Sequence, residues 1–222
     1  MYQVLDQSIA QKIARLFIDI KAVTFRFNPP YTYTSGIKSP IYLDNRVILS
    51  YPQARNKIVK YYLIAIKSIK VKPKFNWISA TATAAIPQGT LIADRLNLPL
   101  IYVRPTTKAY GKGNKIEGYL KKGSQVIIIE DHISTATSVA NNAQTVRDAG
   151  GKVNYCITTT TYETRLSLNN FAANKINLIS LTTGKIIVQT AFKLKQITLK
   201  QRQSINIWFS NPSGWASKMG YA

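Results

Sequence analysis

The stretch that decides the fold is QVIIIEDHISTATSV, residues 125–139. It begins with an apolar run typical of a buried β-strand, and two adjacent acids, Glu130 and Asp131, follow that run. Small hydroxyl residues come next, directly before a predicted helix. The whole chain of 222 residues has only nine Asp and Glu, so two of them side by side at the end of a buried strand indicate a specific role.

Predicted strands and helices alternate around this stretch. Strands are predicted at 75–82, 99–104, 124–131, 152–162 and 176–181, helices at 3–22, 50–69, 86–97, 137–151 and in the C-terminal segment, and a loop with a hairpin arm at 112–120. The strands at 99–103 and 125–129 are apolar on both faces, as in a parallel sheet covered by helices on both sides. The sequence therefore predicts an α/β fold with a parallel sheet flanked by helices.

A small hood precedes this α/β part of the chain. Residues 25–46, which we call the hood, alternate aromatic and polar residues around two turn signals, Pro29-Pro30 and Ser35-Gly36. No linker, internal repeat or low-complexity tract divides the sequence. We expect one domain over 1–222, with the N-terminal helix and hood in 1–50, an α/β core in 51–165, and a C-terminal strand and helical tail in 166–222.

The chain is strongly basic. Thirty Lys and Arg against nine Asp and Glu give a formal net charge of +21. Such a charge attracts polyanions, namely nucleic acids, anionic membranes or phosphorylated metabolites. However, Lys, Ile, Asn and Tyr are all abundant, as in proteins from A+T-rich genomes, and the basic residues are scattered along the sequence. Charge alone leaves nucleic-acid binding and compositional bias both open.

The sequence indicates a protein of the reducing cytoplasm without a membrane partner. The longest apolar runs, such as 126–129, are too short to cross a bilayer. Residues 1–17 carry Asp6 in an amphipathic pattern, unlike a signal or transit peptide. The single cysteine, Cys156, excludes an intramolecular disulfide, and its predicted strand favours a small buried side chain over a reactive thiol.

Three strand-exit loops form the candidate site, because ligands of open α/β sheets bind beyond the carboxyl ends of the strands. These loops are residues 79–88, 104–111 and 130–138. In the last loop, hydroxyl residues ahead of a helix offer backbone N–H groups and a helix dipole to a phosphate. The two acids would repel that phosphate, but they suit the hydroxyls of an attached sugar, bound directly or through hydrated Mg²⁺.

A plain helix N-cap is the alternative explanation for this loop. Ser134 or Thr135 could cap the helix, and acids near a helix N-terminus favour its dipole. Capping explains the hydroxyl residues but does not explain two adjacent acids on a buried strand. We therefore favour a sugar-phosphate site.

Several segments together resemble the orotate phosphoribosyltransferases, a type I phosphoribosyltransferase family. The segment 125–139 resembles the motif that binds 5-phosphoribosyl 1-diphosphate (PRPP), and TSGIKSPIYLDNR (34–46) resembles the Ser-Gly-x-x-Ser-Pro signature in its Bacteroidetes-type form. Residues 80–104 resemble the pyrophosphate loop, KAYGKGNKIEG (108–118) resembles the mobile catalytic loop, and NIWFSNPSGW (206–215) fits the tail. The combination is specific where any single motif would not be. It implies a type I phosphoribosyltransferase-like sheet with a small N-terminal hood.

The resemblance implies roles for residues on the PRPP side. Glu130 and Asp131 would bind the ribose hydroxyls, and Asp131 and Lys108 would be the catalytic residues. Arg104 and Lys108 would approach the pyrophosphate, with Lys108 reaching into the neighbouring subunit of a homodimer. The 5′-phosphate would bind to the loop formed by Ser134, Thr135, Ala136, Thr137 and Ser138.

The resemblance also implies the second substrate and the reaction. Orotate would bind to the hood at Ser35, Gly36, Lys38 and Tyr42. A ring nitrogen of orotate would displace pyrophosphate from C1 of PRPP, giving orotidine 5′-monophosphate. Mg²⁺ would be carried by PRPP and would have no direct protein ligand.

Some positions depart from the family pattern. Ala136 stands where the family usually has a glycine in the phosphate loop, and Ala80 and Ala84 or Ala85 stand where it favours glycines beside the pyrophosphate. Further departures are Tyr110 for a loop histidine, Pro105 for a lysine, and His132 for an apolar residue. We expect His132 to be a packed or partly exposed side chain and not a catalytic base.

These departures leave a second interpretation open. The chain could be a retired phosphoribosyltransferase-like scaffold that binds RNA or joins a ribonucleoprotein assembly through its basic surface. Against this, Glu130, Asp131, Arg104, Lys108 and the Glu117-Gly118 pair are all present. An active enzyme is therefore the preferred prediction.

Overall fold

The computed structural model describes residues 1–33, 35–105 and 115–221. The strands are β1 Tyr2–Val4, β2 Val23–Phe25, β3 Tyr31–Thr32, β4 Lys38–Ser39, β5 Ile41–Leu43, β6 Trp77–Thr81, β7 Leu100–Val103, β8 Ile116–Glu117, β9 Gln125–Ile133, β10 Lys152–Thr161 and β11 Asn177–Thr183. The α-helices are α1 Gln7–Asp19, α2 Pro52–Ser68, α3 Ile86–Leu96, α4 Thr137–Asp148, α5 Arg165–Ala173, α6 Gly184–Lys193, α7 Leu199–Ser210 and α8 Pro212–Lys218, and a 3₁₀ helix covers Asn45–Ser50. None of the described helices is long and apolar enough to span a membrane.

A mainly parallel sheet forms the centre of the molecule. Its strand order is β1-β11-β10-β9-β6-β7-β8, and every neighbouring pair is parallel except the antiparallel pair β7–β8. The strand β9, which carries the two acids, lies between β10 and β6. This confirms the predicted parallel sheet, and β8 is the predicted hairpin arm.

Both faces of the sheet are covered by helices, which explains why β9 is apolar on both sides. Ile127 and Ile129 belong to a core formed with α1, α2, α3, α6 and α7, while Val126 and Ile128 belong to a second core formed with α4 and α5. Cys156 of β10 is fully buried in the second core, and burial raises the pKa of its thiol. The prediction of a buried, unreactive cysteine agrees with this position.

The hood consists of two short antiparallel pairs, β2 with β5 and β3 with β4. Gly36 lies in the turn between β3 and β4 with φ 83°, a conformation that glycine adopts without strain. A Cβ added there would meet no atom within 4 Å, so the backbone conformation and not the available space explains this glycine. The 3₁₀ helix follows β5 and leads into α2, which begins at Pro52 as its Ser-x-Pro entry predicts.

The helix predicted over 3–22 is wrong at its N-terminal end. Tyr2–Val4 form β1, which pairs with β11 at the sheet edge, and the helix begins only at Gln7. Asp6 caps it, because its carboxylate accepts a hydrogen bond from the Ile9 N–H at 2.8 Å. Val4 therefore belongs to the sheet, although its spacing suits the helical pattern.

Two further differences lie close to the candidate site. The strand predicted to end at 131 continues to Ile133, because β10 pairs with it through His132 and Ile133. Both acids lie within the strand, as predicted, but two residues before its end and not at its end. The helix Arg165–Ala173 lies where the sequence analysis predicts no helix.

Candidate active site at the strand ends

Glu130 and Asp131 form an acid pair near the carboxyl end of β9, in which Glu130 is buried and Asp131 is half-buried. Glu130 is only 5% exposed, and its Oε1 accepts a hydrogen bond from the Asp131 N–H at 3.0 Å. Burial raises the pKa of Glu130 well above its usual range, and the neighbouring Asp131 charge adds to this, while a hydrogen bond from Thr81 opposes it. Burial also raises the pKa of Asp131. Hydroxyl donors or a cation that contact the two carboxylates would stabilise their ionised form.

Helix α2 fixes the backbone beneath the acids. The Tyr62 hydroxyl donates to the Glu130 carbonyl oxygen at 2.6 Å and lies 2.8 Å from Thr159 Oγ1 of β10. Tyr62 is completely buried, and its position on α2 marks it in the sequence only as a core residue. The contact of Tyr62 with the Glu130 backbone therefore could not be read from the sequence.

The loop after β9 leaves the N-terminus of α4 open. Ala136 occupies the N-cap position with φ 65° and ψ 10°, and no side chain of that residue caps the helix. Thr135 Oγ1 lies 3.5 Å from the Thr137 N–H, which is long for a hydrogen bond. Ala136, and neither Ser134 nor Thr135, thus occupies the N-cap position, although Thr135 Oγ1 accepts this long hydrogen bond from the first turn of the helix. The first N–H groups of α4 can bind an anion instead.

The hydroxyl residues around this N-terminus are accessible. Ser134, Thr135, Thr137 and Ser138 are exposed, while Ala136 is buried at 7% exposure. The five residues predicted to hold a phosphate thus form one continuous turn with four exposed hydroxyls. That arrangement suits a phosphate group bound by backbone N–H groups and hydroxyls together.

Helix α5 and its N-cap residue support the loop through two of the loop's backbone carbonyl groups. The Thr164 hydroxyl donates to the Ser134 carbonyl oxygen at 2.6 Å, and Asn170 Nδ2 donates to the Thr135 carbonyl oxygen at 2.8 Å. Thr164 also caps α5, accepting from the Ser167 N–H. Neither contact was predicted from the sequence, because α5 was not predicted. The available signal was a Thr N-cap followed by apolar residues at helical spacing, Leu168 and Phe171.

The described parts of the three predicted strand-exit loops meet around a small cavity. Its volume is about 40 Å³, and it is lined by Thr81, Ala82, Val103, Arg104, Pro105, Ser138, Asn141 and Asn142. Asn142 of α4 ties the helix to β6, since Nδ2 donates to Thr81 Oγ1 at 3.0 Å and Oδ1 accepts from Ser79 Oγ at 2.8 Å. Arg104 Nη1 lies 3.5 Å from Glu117 Oε1. Arg104 thus lies beside the α4 N-terminus, with its guanidinium near the Glu117 carboxylate of β8.

Comparison with known proteins places the chain. No family model matches it. The orotate phosphoribosyltransferase of Coxiella burnetii is 40% identical over 206 residues, which are 93% of this chain and 98% of that protein. The orotate phosphoribosyltransferase of Bacillus subtilis is 38% identical over 215 residues, which are 96% of this chain and 99% of that protein. The chain belongs to the orotate phosphoribosyltransferase family.

Solved structures agree on the fold. The orotate phosphoribosyltransferase from Aeropyrum pernix has a TM-score of 0.71 at 24% identity and covers 84% of this chain and 99% of its own. The Leishmania donovani UMP synthase has a TM-score of 0.76 at 24% identity, covering 91% of this chain and 42% of its own. The predicted type I phosphoribosyltransferase-like fold is confirmed, while the finer Bacteroidetes-type form stays a prediction.

The residues that the family resemblance assigns to orotate lie in the hood. Ser35 and Gly36 are exposed in the β3–β4 turn. Lys38 donates its ammonium to the Tyr221 carbonyl oxygen, so the C-terminal segment contacts this residue directly. Tyr42 is 37% exposed, and its ring lies 5.5 Å from that of Tyr31, measured between centroids. Their roles toward orotate stay predictions.

His132 packs against an aromatic side chain. Its ring lies 4.3 Å from that of Tyr162 in an edge-on arrangement, and Nδ1 lies 2.8 Å from Thr160 Oγ1. Burial lowers the pKa of His132 to about 4, so the imidazole is neutral at physiological pH. This geometry supports the prediction that His132 packs and does not act as a base.

Of the alanines at family glycine positions, Ala136 alone has a positive φ. Ala80 is completely buried. Its Cβ lies close to Gly89 of α3, since a Cβ added to Gly89 would come within 2.8 Å of it. Ala85 has an ordinary helical φ of −84°. The conformational concern raised by the sequence thus applies to Ala136 and not to Ala80, Ala84 or Ala85.

The predicted mobile loop is largely outside the described residues. Residues 106–114, which include Lys108 and Tyr110, lie outside the described residues, and so does Thr34 of the hood.

Within the described ranges, no group of three or more His, Cys, Asp or Glu comes together to hold a metal ion. Glu130 and Asp131 supply carboxylate oxygens, the ligand type that Mg²⁺ prefers. The pair therefore fits a hydrated cation that arrives with a substrate.

Proposed function

We propose that this protein transfers the 5-phosphoribosyl group from PRPP to orotate, giving orotidine 5′-monophosphate and pyrophosphate. The observation that carries the proposal is the N-terminus of α4, whose N-cap residue Ala136 offers no side-chain cap, directly beside the acid pair Glu130 and Asp131 on β9. The curated relatives, named orotate phosphoribosyltransferase, favour an enzyme over a retired scaffold. We place the reaction in the cytoplasm, as the sequence analysis expects.

The proposed PRPP site divides the substrate between two sets of residues. The 5′-phosphate would accept hydrogen bonds from the first N–H groups of α4 and from the hydroxyls of Ser134, Thr135, Thr137 and Ser138. The ribose hydroxyls would donate to Glu130 and Asp131. Donation by two hydroxyls would stabilise the ionised carboxylates, which burial alone disfavours.

The proposed reaction breaks the bond between C1 and the pyrophosphate oxygen while a ring nitrogen of orotate bonds to C1. The electron pair of the broken bond leaves with pyrophosphate, so negative charge develops there in the transition state. Arg104 and Lys108 would stabilise that charge. Mg²⁺ bound to PRPP would neutralise part of the same charge. The hood would hold the orotate ring in line with C1 through Ser35, Gly36, Lys38 and Tyr42.

We also propose a homodimer in which Lys108 acts in the partner's site. The family resemblance supports this arrangement, because it assigns Lys108 to a loop that crosses the subunit interface. Each site would then need residues from two chains. A monomeric protein with full activity would contradict the arrangement.

A nucleic-acid partner stays a prediction from charge. The net charge is +21, and a cavity of about 680 Å³ between α1, α6 and α7 is lined by basic side chains that include Arg15, Lys185, Lys193 and Arg202. Binding of a polyanion there would weaken steeply with salt. The Asp131→Asn substitution would leave that binding unchanged, because Asp131 lies at the strand ends.

A turnover assay tests the proposed function. Purified protein is mixed with orotate, PRPP and Mg²⁺, and the loss of orotate absorbance and the appearance of orotidine 5′-monophosphate are followed. We expect turnover by the wild type and a loss of about a hundredfold in Asp131→Asn, since about two charge-assisted hydrogen bonds are weakened. Asp148→Asn removes an exposed acid of α4 and serves as the matched control. No product from the wild type, or equal rates in Asp131→Asn, would contradict the proposal.

A further inference from the structure

Asn45 is a buried amide at the junction between the hood and the sheet. It is the first residue of the 3₁₀ helix that follows β5, and it is 2% exposed. The preceding residue is fixed on both sides, since the Asp44 N–H donates to the Ala22 carbonyl oxygen at 2.8 Å and the Asp44 carboxylate accepts from the Arg46 N–H at 3.0 Å. The Asn45 side chain therefore projects from a rigid turn.

The amide group of Asn45 reaches across to the acid strand. Nδ2 donates to the Asp131 carbonyl oxygen at 3.1 Å and to Thr160 Oγ1 of β10 at 2.9 Å. The Thr160 hydroxyl lies 3.4 Å from the same Asp131 carbonyl oxygen. The opposite amide orientation would set two carbonyl oxygens against each other, so the contact with Asp131 assigns the NH₂ group.

Stability alone does not explain an asparagine at this position. Asn45 Oδ1 is buried and has no hydrogen-bond partner among the described residues. A buried acceptor without a partner costs free energy that an apolar side chain would avoid. The two donated hydrogen bonds are what an apolar residue could not supply. One goes to the Asp131 carbonyl oxygen and the other to the side-chain hydroxyl of Thr160, which lies beside that carbonyl.

We propose that Asn45 is a positioning residue that fixes Asp131 from the hood and thereby sets the affinity of the site for PRPP. The inference rests on the proposed function, because it assumes that Asp131 binds the ribose of PRPP. Asn45 does not touch the substrate in this account. It acts by holding the Asp131 backbone, so that the carboxylate meets the ribose hydroxyls at the required distance.

Three substitutions and a matched control test the proposal. Asn45→Ala removes both hydrogen bonds of the amide, and Thr160→Val removes the contacts of the Thr160 hydroxyl with Asn45, the Asp131 carbonyl and His132. We expect each to lower kcat/KM for PRPP by about three- to tenfold. Thr160→Ser keeps the hydroxyl and should stay within about twofold of the wild type. Thr182→Val is the control, because Thr182 pairs with Thr160 in the sheet and donates a buried hydrogen bond to the Ala10 carbonyl at 2.9 Å. It should lose similar stability with unchanged kcat/KM.

A double-mutant cycle separates positioning from a general loss of structure. If Asn45 acts through Asp131, then Asn45→Ala costs little once Asp131→Asn is present, and the two effects are not additive. Additive effects would overturn the proposal. So would kcat/KM values for Asn45→Ala and Thr160→Val that equal the value for Thr182→Val. In either case, turnover by the wild type would leave the proposed function standing. If Asn45→Ala does not fold, the comparison of Thr160→Val with Thr160→Ser decides. A wild type that neither binds PRPP nor turns over would remove the proposed function and this inference with it.

Discussion

Ala136→Gly is the substitution for which the structure gives the most definite expectation. Ala136 holds a left-handed backbone conformation, φ 65° and ψ 10°, at the N-terminus of α4. In that conformation the Cβ of an L-residue crowds the following carbonyl oxygen, whereas glycine has no Cβ to crowd it. Removing the methyl group therefore relieves strain in the folded state.

The net effect on stability combines three contributions. Relief of the left-handed conformation stabilises the folded state by about 1–2 kcal/mol. The greater freedom of glycine in the unfolded chain offsets about 0.4–1 kcal/mol of this, and loss of the buried Ala136 methyl group, which packs in the second core, offsets about 0.8 kcal/mol more. We expect Ala136→Gly to leave the free energy of unfolding within about 0.5 kcal/mol of the wild type, which corresponds to roughly 2 °C or less in Tm for a chain of this size.

The same change elsewhere in α4 gives the control. Ala140 lies within the helix, and its N–H donates to the Ala136 carbonyl oxygen at 3.0 Å. Ala140→Gly should destabilise by about 1 kcal/mol, because glycine disfavours a helix interior. Urea unfolding of both variants, followed by the fluorescence of the buried Trp208 and Trp215, measures the difference. If Ala136→Gly destabilises as much as Ala140→Gly, the assigned strain is wrong.

Three other predictions follow from the site. The pKa of His132 is about 4 in the folded protein and about 6.5 in the unfolded chain, so the free energy of unfolding should fall as the pH falls through this range. We expect a loss of about 2 kcal/mol between pH 7 and pH 5. In urea unfolding, His132→Asn should lack this part of the pH dependence. Thr164→Val should lower kcat/KM for PRPP by about three- to tenfold, because the hydrogen bond to the Ser134 carbonyl is lost. The control Thr198→Val removes the N-cap side chain of α7. It should lower the free energy of unfolding by about 1 kcal/mol, as Thr164→Val should, without changing kcat/KM. Mixing Lys108→Ala chains with Asp131→Asn chains, each nearly inactive alone, should restore about a quarter of the wild-type activity. Random exchange makes about half of the dimers mixed, and one of the two sites in each mixed dimer is then intact.

Each of these predictions has an outcome that contradicts it. An unchanged pH slope in His132→Asn would show that the imidazole is not shielded in the folded protein. Equal kinetics for Thr164→Val and Thr198→Val would mean that α5 does not support the phosphate loop. Inactive mixtures of subunits that are shown to exchange would refute the placement of Lys108 in the partner's site.

The central sheet and the place of the site could be predicted from the sequence for a physical reason. The strand β9 is apolar on both faces, and only a sheet covered on both sides buries such a strand. Ligand loops of a parallel sheet gather at one edge, so Arg104 and Ser138 could be expected to meet although 34 positions separate them. Local sequence and one topological rule suffice for both inferences.

The supports of the site could not be predicted, because they depend on contacts between residues distant in sequence. Asn45 contacts Asp131 from 86 positions away, and Tyr62 contacts Glu130 from 68 positions away. Their side chains resemble ordinary turn and core residues until the fold brings the partners together. The left-handed conformation of Ala136 is hidden in a similar way, since alanine rarely adopts it and only the family pattern of a glycine there pointed to it.

The affinity of the purified protein for PRPP tests the account most directly. Isothermal titration calorimetry of PRPP in the presence of Mg²⁺ should show one saturable site per chain in the wild type. The same titration of Asp131→Asn should show much weaker binding, while Asp148→Asn should match the wild type. Absence of PRPP binding by the folded wild type, or undiminished binding by Asp131→Asn, would contradict a PRPP site formed by the acid pair of β9 and the N-terminus of α4.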